Sequence, residues 1–152
     1  MTKVAAALVF GTCSLAMLGF KQQPNHVHKF SELPGGHILK IDLQTRGCFE
    51  QNANYFIFYS RPKPMLDIAG FPTQTLSASD IKGLDKLLSF YRHVKEGYCT
   101  TTDKITIEEY SGNTLLARES YVDSTCSTIN EKDLFSLRTL IERAYDLKKR
   151  QP

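Results

Sequence analysis

Cys99 and Cys126 each lie twelve residues from the ends of a turn-like Ser111-Gly112-Asn113-Thr114, and this spacing restricts the fold more than any other feature of the chain. The flanking segments, Lys104 to Tyr110 and Leu115 to Asp123, are rich in β-branched and aromatic residues, so Gly112-Asn113 reads as the two-residue loop of a β-hairpin. In a regular antiparallel ladder closed by that loop, Cys99 falls opposite Cys126. Their Cα atoms would then stand about 5 Å apart, within reach of a disulfide. The same register sets Ile107 opposite Arg118 and Ile105 opposite Ser120, and a slip of one residue would exchange the two faces of the strand. Pairings of Cys48 with Cys99 or with Cys126 are the alternatives. A Cys99–Cys126 bridge would contribute roughly 3–4 kcal/mol by restricting the unfolded chain.

Such a bridge needs an oxidising compartment, and the N-terminus supplies an address. Lys3 precedes a stretch from Val4 to Phe20 that carries no charge, and Ser14-Leu15-Ala16 places small residues where a signal peptidase would cut. Residues 1–16 are therefore expected to be a signal peptide, 17–36 a polar tether containing two prolines and Gly35-Gly36, and 37–150 a single domain. The expected location is secreted or periplasmic. Membrane association would follow only if the apolar segment is retained as an anchor or if Cys13 is lipidated, and Phe10-Gly11-Thr12 suits lipidation poorly. The net charge is +3, with basic residues interleaved among acidic ones, so no nucleic-acid partner is expected. The basic run Lys148-Lys149-Arg150 suits the C-terminal end of a helix.

Strict alternation from Ile38 to Gln44 predicts a strand over 38–46, and Asn54 to Arg61 predicts a second, with Phe56 and Phe58 on one face and Tyr55, Ile57 and Tyr59 on the other. Three prolines in Arg61 to Thr75 predict a structured irregular loop. Ser77 with Asp80 caps a helix expected over 78–96, whose apolar face is Ile81, Leu84, Leu87, Leu88, Tyr91 and Val94. Asn130 with Asp133 caps a second helix over 131–148. With strands at 104–110 and 115–123, the expected fold is α+β. An antiparallel sheet of about four strands carries two helices in ββαββα order, stapled by the disulfide, with helices on one face and a loop or partner on the other.

The search for chemistry returns little. Cys48 lacks a nearby histidine in sequence, His26-x-His28 lacks the spacing of a metal site, and Glu108-Glu109 point to opposite faces of a strand. There is no G-x-S-x-G, phosphate loop or H-E-x-x-H. No catalytic, cofactor or metal residue is assigned, and a non-enzymatic role is expected. The most suggestive stretch is the proline-rich loop, where Met65, Leu66, Ile68 and Phe71 would serve as apolar anchors for a protein partner, or else cap the open sheet face.

The element order, with a Gly47-Cys48-Phe49 turn joining the first two strands, resembles the emfourin-like inhibitors of bacterial metalloproteases over residues 38–147. Their turn is a glycine-rich GGFxG-like motif; here RGCFE stands in its place without the first and last glycines. The pattern is similar also to other small secreted bacterial proteins. The function expected is an exported binding or inhibitory module of the bacterial envelope or exterior. The alternative is a structural envelope protein packed against a membrane complex.

Overall fold

In the computed structural model, residues 26–48, 51–94, 97–126 and 137–150 are described. The expected signal peptide, the first part of the expected tether and the expected Asn130/Asp133 cap lie outside them.

The alternating segments form β1 (His37–Arg46), β2 (Gln51–Tyr59), β5 (Thr102–Ser111) and β6 (Thr114–Asp123). Two further strands, β3 (Met65–Ile68) and β4 (Gln74–Thr75), come from the stretch expected to be irregular. The sheet therefore has six strands rather than four, in the order β4-β3-β2-β1-β5-β6, with every neighbouring pair antiparallel. The prolines delimit these strands without preventing them. Pro62 and Pro64 precede β3 and Pro72 falls between β3 and β4, so neither ladder loses a donor to proline.

The β5–β6 hairpin keeps the expected register only at its turn, where Ser111 pairs with Thr114 and Tyr110 with Leu115. A β-bulge between Glu109 and Tyr110 then shifts it by one, so Ile107 faces Glu119 and Ile105 faces Tyr121 instead of Arg118 and Ser120. The shift moves exposed Arg118 and Ser120 off the buried face and brings Ala117 onto it. The cysteines meet beyond the ladder. The Cys99 amide donates to the Ser124 carbonyl at 2.8 Å, and the Cys99–Cys126 disulfide spans 5.7 Å between Cα atoms. Gly97 is required beside it, since a Cβ there would lie 2.5 Å from the Ser124 carbonyl oxygen. Cys48 is free and exposed.

Helices α1 (Ala78–His93) and α2 (Leu137–Lys149) belong to the core with one sheet face. Ser77 and Asp80 form the expected reciprocal capping box, and Leu84, Leu87, Leu88 and Tyr91 of α1 are buried with Leu137, Leu140 and Ala144 of α2. Asp80 also receives two Arg143 hydrogen bonds at 3.0 Å, which ties the start of α1 to α2. Arg143 first, then the Ser77 backbone and side chain, outweigh burial and hold the Asp80 carboxyl down to about 2.

The later part of the segment expected to be tether is packed. Val27, Phe30 and Leu33 are buried, one every three residues, and the Phe30 ring meets Phe58 edge-on at 5.1 Å between centroids. The apolar spacing inside a polar composition explains why this segment reads as linker yet joins the core.

Candidate functional site

The two faces of the sheet differ in what covers them. Leu39, Ile41, Phe56, Phe58, Leu66, Ile105 and Ile107 face the helices and are buried. On the opposite face, strand pairing aligns Met65, Tyr59, Ile38, Tyr110 and Leu115 into one apolar and aromatic row across five strands. The next row, Asp67, Ile57, Lys40, Glu108 and Arg118, is mostly charged. Lys40 lies 4.2 Å over the Tyr110 ring, Tyr110 donates to Glu108 at 2.9 Å, and Arg118 pairs with Glu108 at 3.3 Å. That Glu108 bond is the main cause raising the Tyr110 phenol, while Tyr59 is raised by burial and then by its bond to Asp67. Tyr55 at 41% and Leu115 at 47% exposure leave large apolar side chains in water on this face.

The four anchors expected in the proline-rich loop separate. Leu66 and Ile68 are core residues, because β3 turns them toward the helices. Phe71 is half-buried against Tyr145 of α2, 4.6 Å between ring centroids, with Lys148 above it. Only Met65 belongs to the open row. Leu66 and Ile68 thus cover the sheet, as in the alternative, while Met65 and Phe71 stay partly exposed. Beside Pro64 a groove of about 530 Å³ has Phe30, Phe58 and Ile81 among its walls and Lys82 and Asp85 at its polar side.

A third arrangement draws together residues far apart in sequence. Glu109, on β5 at the bulge and 1% exposed, faces the segment before β1. The His28 backbone amide donates to its Oε2 at 2.8 Å, while His28 Nδ1 and His37 Nδ1 lie 2.8 and 2.7 Å from its Oε1. Burial pushes this carboxyl up, but the bonds from the His28 amide and from the His37 and His28 imidazoles outweigh it and leave it below the usual range. Alongside, Glu119 accepts from Arg92 at 3.0 Å and pairs with His26, and Arg92 donates to the Val27 carbonyl at 2.7 Å. Residues 26–28 are thus fastened to β5, β6 and α1 by consecutive contacts. The fourth histidine, His93, is engaged through Nδ1 with the Ser89 carbonyl of its own helix.

Sequence reasoning placed Glu108 and Glu109 on opposite faces, as they are, and stopped there. The missed signal was Glu109 itself, a carboxylate in phase with Ile105 and Ile107 on the core side of β5. A charge in that phase requires partners, and His26, His28 and His37 were the residues able to supply them.

Comparison with known proteins gives no match: no protein family, curated protein or solved structure is significantly similar to this chain. The disulfide is the chemistry of an oxidising, extracytoplasmic environment. No helix of the described residues is long and apolar enough to cross a membrane.

Proposed function

We propose that the chain is an exported, non-catalytic module that binds another protein through the uncovered face of its sheet. The observation that supports this reading is the row Met65–Tyr59–Ile38–Tyr110–Leu115, apolar side chains aligned across five strands on the face opposite the described helices. Tyrosines are efficient contact residues. They bring large area with few rotatable bonds and keep a polar tip that tolerates water when the partner is away. The charged row beside them supplies orientation: Lys40 rests over the Tyr110 ring and Glu108 is bonded by Tyr110 and Arg118, which limits the freedom these side chains lose on docking.

The test is co-purification from envelope and culture supernatant with wild type, Tyr55→Ser/Leu115→Ser, and Lys82→Glu at the groove. Loss of a partner in the open-face variant alone, with an unchanged melting temperature, is the expected result. A partner kept by that variant and lost with Lys82→Glu would move the site to the groove and overturn the reading. Recovery of the partner only from the membrane fraction would favour the structural envelope role over a soluble target.

A further inference from the structure

We infer that His28, His37 and Glu109 form a binding site for a divalent transition-metal ion of the zinc type. The inference is independent of the sheet-face reading and rests on different residues. Three donor atoms from three separate parts of the chain, two imidazole nitrogens and one carboxylate oxygen, lie within 4.8 Å of one another. Borderline-soft ions such as Zn2+ favour this donor set, and two histidines with one glutamate leave further coordination positions for water.

The geometry resembles a cation site more than a simple ion pair in three respects. Both rings present Nδ1 to the same enclosed carboxylate, His37 at 2.7 Å from Oε1 and His28 at 2.8 and 2.9 Å from Oε1 and Oε2. Oε2 also accepts from the His28 backbone amide at 2.8 Å, the kind of outer contact that orients a ligating carboxylate. The bulge, whose extra residue lies on β6, sits directly across from Glu109, and bulges are over-represented beside functional sites. Metal–ligand distances near 2.1 Å place tetrahedral donors on the order of 3.4 Å apart. Each ring nitrogen, now 2.7–2.8 Å from Oε1, would retreat by roughly 0.6–0.7 Å to admit the ion. On binding, each ring gives up the Nδ1 proton and carries its remaining proton on Nε2, so a neutral imidazole presents its Nδ1 lone pair to the metal.

Access is open on one side. The His28 and His37 side chains are 48% and 20% exposed, whereas Glu109 is enclosed, so an ion would enter from the histidine side and rest on the buried oxygen. Its effect would be to clamp residues 26–28 and the start of β1 to β5.

The experiment is a Zn2+ titration of the full chain against a coloured chelator, in a Cys13→Ser/Cys48→Ser background because free thiols would otherwise claim the ion. One equivalent is expected to bind and to raise the melting temperature. His28→Ala and His37→Ala should each weaken binding at least about tenfold, while His93→Ala leaves it intact. Both test variants replace side chains that reach solvent, and their metal-free melting curves establish that they fold. Absence of saturable one-equivalent binding, or binding that survives either substitution undiminished, overturns the assignment and leaves the cluster an ion-pair latch.

Discussion

Glu108 and Glu109 are adjacent in sequence and belong to different worlds. Glu108 points to the open face, where it meets a well-exposed Arg118 and the Tyr110 hydroxyl in the presence of water. Glu109 points to the covered face, is enclosed, and holds two histidines and a backbone amide. One step along a strand thus separates a screened surface charge, worth little to stability, from a buried one that cannot lose its partners cheaply. The same division runs through the whole sheet: one face is fixed by packing, and the other is free to be selected for contact.

The strongest test of that division is the neighbouring pair Phe58 and Tyr59. Phe58→Ala should remove about 3–5 kcal/mol in urea unfolding, because the ring is buried against Phe30. Tyr59→Ala on the open face should cost less than about 1 kcal/mol. Near-equal losses would mean that the open face is packed as tightly as the covered one. Next in size, Cys99→Ser should cost roughly 2–4 kcal/mol. Cys48→Ser, at an exposed free thiol, should change the unfolding free energy by no more than about 0.5 kcal/mol.

The glutamates themselves come third. Glu109→Gln leaves buried donors poorly matched and should destabilise by roughly 1–3 kcal/mol, against less than about 0.5 kcal/mol for Glu108→Gln. A smaller effect is expected at Asp80, a buried carboxylate whose partner is arginine rather than histidine. Its folded pKa of about 2 lies below the ordinary value of 3.8, so its contribution is complete above the ordinary value and disappears as pH falls toward 2. The stability gap between wild type and Asp80→Asn, no more than about 2 kcal/mol near neutrality, should close over that acid window. A gap independent of pH would place its origin in shape rather than charge.

The parts of the fold that sequence revealed are those governed by local rules. Alternation in β1, the Ser77/Asp80 box and the leucine spacing of α1 each act over a few residues, and each appears where the pattern puts it. The disulfide was legible for a related reason, since a hairpin makes distant residues effectively local. What escaped were features decided by partners remote in sequence. Leu66 and Ile68 became strand residues because β2 offered them an edge. Val27 and Phe30 joined the core because α1 and Phe58 left room for them. The His28–His37–Glu109 cluster spans 81 residues, and although the phase of Glu109 marks a buried charge, nothing near it in sequence names the partners.

Leu116 is the extra residue of the bulge, since Tyr110 pairs with Leu115 and Glu109 with Ala117. It therefore works as a frame-shift in the hairpin's alternation: before it β6 is read in one phase, after it in the other. Deleting Leu116 would join two stretches that already face the correct way and leave every other pair of the ladder in place. Deleting one residue farther along, such as Ser120, would invert the strand from that point to its end, driving one set of side chains out of the core and the other in. Length variation in this strand has a single tolerated position, and it lies next to the carboxylate that gathers the histidines.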